Sequence, residues 1–83
     1  MKDELQFFMK LSRKQQTDFV RNFGSFIGQA IKGDLFAYLY CVGPFYAELY
    51  YNSTSLQPVK VIAFDDEELL TPYLTWIDIS EIL

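Results

Sequence analysis

Histidine is absent from this 83-residue chain, and cysteine occurs once. The first absence removes the commonest general base, the usual activator of a serine or cysteine nucleophile and the commonest zinc ligand. A single thiol excludes an internal disulfide and a cysteine-built metal site, and it points to a reducing compartment. Basic residues are nearly missing from the second part of the chain. Residues 33–83 hold one basic and eight acidic side chains, a net −7, while residues 1–32 hold six basic and three acidic, a net +3. A surface of that sign in the larger part repels phosphate and argues against nucleic acid as a partner.

Further absences narrow the function classes. Gly24-x-x-x-Gly28 lacks the Lys-Ser/Thr that would make it a phosphate loop. Asp65-Asp66-Glu67-Glu68 lacks the alternating ligands and mid-loop glycine of a calcium loop, and reads as a solvated helix start complementing the helix dipole. No uncharged stretch reaches the ~18–20 residues of a membrane span. Met1-Lys2-Asp3-Glu4 lacks the basic-then-apolar layout of a secretion signal. The expectation is a single-domain cytoplasmic protein spanning 1–83. It has no catalytic residue, no metal ligand, no cofactor, no nucleic-acid partner and no membrane contact.

What the chain does hold is aromatic surface. Residues 35–51 place seven aromatic side chains in seventeen positions. Two apolar runs, 35–42 and 45–51, flank Gly43-Pro44, which suits a type II′ hairpin turn with glycine first and proline's fixed negative φ second. In the first run both alternating sets are apolar or aromatic, Leu35/Ala37/Leu39/Cys41 and Phe36/Tyr38/Tyr40/Val42. A strand buried on one face would alternate cleanly, so this one is expected to be central and covered on both sides. Cys41 reads as a small buried thiol in that strand.

Upstream, Leu5, Phe8 and Met9 share one side of a short helix over residues 2–9. Ser12-x-x-Gln15 is a capping-box start for a second helix whose apolar stripe continues through Phe19, Val20 and Phe23. Phe26, Ile27, Ala30 and Ile31 fit the same stripe and would extend it to Lys32. Against this, Gly24 and Gly28 each cost about 1 kcal/mol in a helix interior relative to alanine. The favoured reading ends the helix near Gly24 and makes 25–31 a strand, turning at Lys32-Gly33-Asp34. Downstream, residues 58–64 form a further strand, and the acidic segment from Asp65, with Pro72 at a helix start, leads into a short helical tail.

Candidate contact residues follow from the hairpin. A two-residue turn puts Phe36, Tyr38 and Tyr40 on the face of Phe45, Ala47, Leu49 and Tyr51; a three-residue turn moves them to the face of Tyr46, Glu48 and Tyr50. In either register Glu48 stands between Tyr46 and Tyr50, with Lys60 its expected cross-strand partner. Tyr38, Tyr40, Tyr46, Glu48, Tyr50 and Lys60 are therefore the candidate interaction residues.

The aromatic strand 45–51, the run 61–64, Leu70-Thr71-Pro72-Tyr73-Leu74 and Ile77-Asp78-Ile79-Ser80 together resemble short bacterial proteins of no assigned function. Those proteins share an aromatic strand followed by a Leu-x-Pro-Tyr-Leu tail. The resemblance covers roughly residues 24–83, supports the strand reading of 25–31 and implies no activity.

These observations predict an α+β domain: an N-terminal helix or helix pair, an antiparallel meander of three or four strands and a short C-terminal helical tail. Helix and tail together cover the two apolar faces incompletely, which leaves an aromatic patch for a partner. The functional expectation is a non-catalytic protein-interaction module, a homodimer through the Tyr-bearing face or paired sheet edges, or a module for another protein. Two further readings stand beside it: a Tyr/Phe-lined small-ligand pocket anchored by Glu48, and a small acidic inhibitor or immunity-type protein presenting residues 65–68.

Overall fold

A computed structural model describes residues 2–66, 68, 70 and 73. Two helices, α1 (Lys2–Met9) and α2 (Arg13–Phe23), precede four strands: β1 (Ser25–Lys32), β2 (Leu35–Val42), β3 (Phe45–Tyr51) and β4 (Lys60–Phe64). The strands form one antiparallel sheet in the order β1-β2-β3-β4, an open meander. The expected class, α+β with an N-terminal helix or helix pair and a meander of three or four strands, is present as two helices and four strands. The expected helical tail falls outside the described residues except at Glu68, Leu70 and Tyr73.

The helix start and stop are both chemical. Ser12 accepts a hydrogen bond from the Gln15 backbone N–H while the Gln15 side chain accepts from the Ser12 N–H, which closes the capping box. Gly24 ends α2, its N–H donating to Val20 O at 2.7 Å. A Cβ at Gly24 would lie 2.6 Å from Val20 O and 3.3 Å from the Tyr40 Cβ. The glycine is needed for this close approach of helix end to sheet, and residue 25 begins a strand.

Both hairpin turns have two residues, since Lys32 pairs with Leu35 and Val42 with Phe45. Gly33 and Gly43 each have φ of 63°, and no other residue has positive φ among the described residues. That combination excludes a type I′ turn and fits type II′. The two-residue turn settles the register. Phe36, Tyr38, Tyr40 and Val42 share the face of Phe45, Ala47, Leu49 and Tyr51, while Tyr46, Glu48 and Tyr50 lie opposite.

The helices pack on the first of these faces, where Phe8 and Val20 meet Val42, Phe45, Ala47 and Leu49. The second face buries Ala30, Ala37, Leu39, Tyr50 and Phe64 under Tyr73, with Leu70 packed alongside. Expected and observed coverage differ in one respect. β3 is the strand most fully buried, whereas β2 leaves Phe36 40% exposed and Tyr38 and Tyr40 half-buried. The two helices cover mainly β3 and β4 and stop short of β1, so apolar composition alone overstated the burial of β2. Cys41, expected to be buried, is half-buried.

A register shift between Phe26 and Gly28 makes a β-bulge at Ile27. The extra residue turns Phe26 onto the helix-side face, opposite Tyr40, and Ile27 packs with the core of the other face.

Alanine at Gly24 has to displace a backbone oxygen, so Gly24→Ala is expected to lower stability by about 1–3 kcal/mol. Urea unfolding of the two proteins measures it, and an unchanged midpoint would contradict the close approach described.

Candidate functional site

The polar centre of the molecule is Glu48 on β3, only 4% exposed. Its side chain lies on the face away from the helices, in the same cross-strand row as Gly28, Leu39 and Ile62. Three donors converge on it. Lys32 Nζ and Tyr73 OH each donate to Oε2 at 2.6 Å, and Tyr50 OH donates to Oε1 at 2.9 Å. Lys32 Nζ also donates to Tyr50 OH at 3.2 Å. The ammonium lies 5.4 Å from the Tyr73 ring centre and 5.7 Å from that of Tyr50.

The sequence forms this cluster through small residues. Lys32 and Glu48 stand on β1 and β3, on either side of β2, and the diagonal between them crosses Ala37 on β2, with Ala30 beside it on β1. Neither alanine fills the space that the lysine stem and the Tyr73 ring occupy, and a Cβ on Gly28 would lie 4.0 Å from Tyr73 Cδ1. The expected partner of Glu48 was Lys60, and this is corrected. Lys60 stands in the Tyr50 row and extends over the Tyr50 ring, 4.6 Å from its centre, while Lys32 makes the ion pair. Strand pairing across two hairpins decides this, and no local spacing in the sequence encodes it.

The electrostatics of the cluster all run in one direction. Burial raises the Tyr73 hydroxyl far above the ordinary tyrosine range, and its hydrogen bond to Glu48 adds to that rise. Tyr50 is raised first by burial, with its bond to Glu48 adding and the Lys32 ammonium opposing. For Lys32, desolvation is the largest influence and pulls downward, but the bonds to Glu48 and Tyr50 outweigh it and hold the ammonium above its ordinary value.

Of the six residues singled out in the sequence, Glu48 and Tyr50 belong to this cluster, and Lys60 touches it through the Tyr50 ring. Tyr46 lies on the same face, its ring stacked on Phe64 with centres 5.7 Å apart. Tyr38 and Tyr40 are on the opposite, helix-side face. There Phe26 packs against both of them, at 6.3 and 5.6 Å, and Tyr38 meets Tyr51 edge-on at 5.4 Å. Sequence reasoning missed Lys32 and Tyr73 in the polar cluster and Phe26 in the aromatic ladder. The one available signal was the Leu-x-Pro-Tyr-Leu tail, which marked Tyr73 without saying what it contacts.

Chemically the cluster is closed. Among the described residues no buried side-chain nitrogen or oxygen lacks a hydrogen-bond partner. No group of three or more His, Cys, Asp or Glu side chains there could hold a metal ion, and no helix is long and apolar enough to cross a membrane. An apolar hollow of about 470 Å³ lies elsewhere, between the helices and the β2–β3 turn, walled by Phe7, Phe19, Phe23 and Phe45. Comparison with protein-family models, with curated proteins and with solved structures yields no match.

Two outcomes test the cluster. Glu48→Ala leaves the Lys32 ammonium facing buried tyrosines and is expected to cost about 3 kcal/mol, whereas Lys60→Ala loses one cation–π contact and costs about 0.5–1 kcal/mol. Chemical denaturation that ranks them the other way would return the ion pair to Lys60. Alkaline pH is the second test. Lys32, Tyr50 and Tyr73 all titrate higher in the folded protein, so the unfolded chain gives up its protons first. Their stabilisation is complete below the ordinary values of about 10 and is lost as pH rises through the folded ones. Thermal melts from pH 8 to 11 are expected to fall above pH 10, and Tyr73→Phe with Lys32→Met is expected to flatten that fall.

Proposed function

We propose that this chain is a non-catalytic protein-interaction module that associates with a second copy of itself through the aromatic half of its helix-side sheet face. One observation carries the reading. The helices cover β3 and β4, and beyond them Phe26, Ile31 and Phe36 stand 57%, 61% and 40% exposed on β1 and β2, beside the half-buried Tyr38 and Tyr40. An apolar strip of this kind on an open sheet is the usual mark of a contact surface. Tyrosine and phenylalanine bury large area with few rotatable bonds, which favours association.

The edge beside the strip supports the same reading. Among the described residues β1 is an outer strand with one side unpaired, and residues 25–31 carry no charge. β4, at the other edge, has the devices that discourage pairing: five residues only, Pro58 just before it and Lys60 at its start. The Tyr-bearing face around Glu48 is the weaker candidate, because Tyr73 and Leu70 pack over it. For the same reason Glu48 is a poor anchor for a small ligand, its acceptor oxygens being engaged by Lys32, Tyr50 and Tyr73.

The solution mass, measured by light scattering over a hundredfold concentration range, tests this. A dimer is expected for the parent chain. Ile31→Ser with Phe36→Ser is expected to weaken it at least tenfold while leaving the circular-dichroism spectrum unchanged, since both side chains are exposed. A parent that stays monomeric throughout, or a double variant that dimerises as well, would overturn the assignment of this strip.

A further inference from the structure

On the β4 side of the molecule, a cleft of about 370 Å³ runs between α2 and the segment 57–59, bounded by Arg13, Lys14, Asp18, Arg21 and Gln57. Arg13 and Arg21 are two helical turns apart on one face of α2, about 12 Å along its axis. Both lean onto the same segment. Arg13 Nη1 donates to Val59 O at 3.0 Å, and Arg21 donates through Nη1 to Gln57 Oε1 at 3.3 Å and through Nη2 to Tyr51 OH at 2.9 Å. All of these acceptors are neutral. Lys14, by contrast, is paired with Asp18 at 3.2 Å. Among the described residues neither guanidinium has a carboxylate counter-ion, so two oriented, un-neutralised cations flank the cleft.

A second observation is independent of the first. Arg13 and Lys14 occupy the first turn of α2, which contains no acidic residue. Cations at a helix N-terminus oppose the helix dipole. Local stability would favour Asp or Glu there, a cost that the bond of Arg13 to Val59 O and the Lys14–Asp18 pair offset. Three cations, Arg13, Lys14 and Arg21, against the one carboxylate of Asp18 leave the cleft lining net positive on a chain of net charge −4.

We propose that this cleft binds an extended acidic peptide segment of a partner protein. Guanidinium forks pair bidentately with carboxylates, and each donor set here is held in place by its bonds to the 57–59 segment and Tyr51. In an extended chain, carboxylates at alternate residues recur along one side about every 7 Å and 13 Å. That brackets the spacing of two arginines whose anchors are two residues apart and whose backbones are two turns apart. An alternating peptide can set a neutral residue opposite Asp18, between its carboxylates, whereas a continuous polyanion carries charge at every unit. The site is separate from the apolar strip, which lies on the β1 side.

The probe is a fluorescein-labelled octapeptide of alternating Glu and Thr, titrated by anisotropy against the full chain at 25 mM and 250 mM salt. Saturable binding is expected, weakened at least tenfold by the higher salt. Arg13→Gln with Arg21→Gln is expected to weaken it at least tenfold, with the self-association described above unaltered. Because those substitutions also remove three hydrogen bonds, Arg13→Lys with Arg21→Lys serves as the partner variant. It keeps the charge, loses the fork and is expected to bind with intermediate affinity. No saturable binding at low salt, equal affinity in the Gln variant, or tighter binding of an oligothymidylate of the same charge would each overturn the proposal. The last result would assign the cleft to phosphate.

Discussion

A carboxylate buried in β3, the strand with the largest share of the core, constrains everything packed on that side of the sheet. Left without partners, Glu48 would cost several kcal/mol, a large part of the stability available to a domain of this size. Its satisfaction requires Tyr50, two residues on in its own strand, and two donors distant in sequence, Lys32 at the end of β1 and Tyr73 beyond β4. Each must arrive in one register, because a slip of one residue in either hairpin would send Lys32 or Glu48 to the opposite face. The two glycine-first turns and the cluster therefore depend on each other. The small side chains of Ala30 and Ala37 are part of the same arrangement, since larger ones would occupy the space the lysine and the Tyr73 ring need.

The asymmetry of the two faces follows. A four-stranded sheet of this length offers more apolar area than two helices of 8 and 11 residues can cover. The helices settle where the strands present Val42, Phe45, Ala47 and Leu49, and Gly24 lets the chain pass from helix to sheet at close range. Beyond them the bulge at Ile27 turns Phe26 toward the uncovered side and extends the aromatic ladder to the sheet edge. What one face gains in closure around Glu48, the other yields as exposed surface beside β1.

Much of this was legible in the residues. Helix ends carry local chemistry in Ser12, Gln15 and Gly24. Hairpins carry theirs in Gly33-Asp34 and Gly43-Pro44, and Leu35–Val42 and Phe45–Tyr51 match the apolar runs that flank the second turn. The candidate residues were less legible. Glu48 stood out by isolation, but its partner was read as Lys60 from cross-strand expectation alone. Lys32 looked like a turn flank, and Phe26 like a member of an ordinary strand. Nothing local says that a bulge will rotate one side chain by a face, or that a lysine will reach diagonally across a neighbouring strand.

The sequence by itself determined the class of molecule: helices then an antiparallel meander, too much aromatic surface to hide, an uneven charge, and no histidine. These are properties of period, turn chemistry and composition, which act over a few residues at a time. Only the tertiary structure decided which tyrosines face each other, that Lys32 and Tyr73 close around Glu48, that β3 is better covered than β2, and that Arg13 and Arg21 flank one cleft. Those outcomes are set by the register of strands and the reach of the helices. Contacts between residues 16 to 46 positions apart determine both, and their free energy exists only once the whole sheet is assembled.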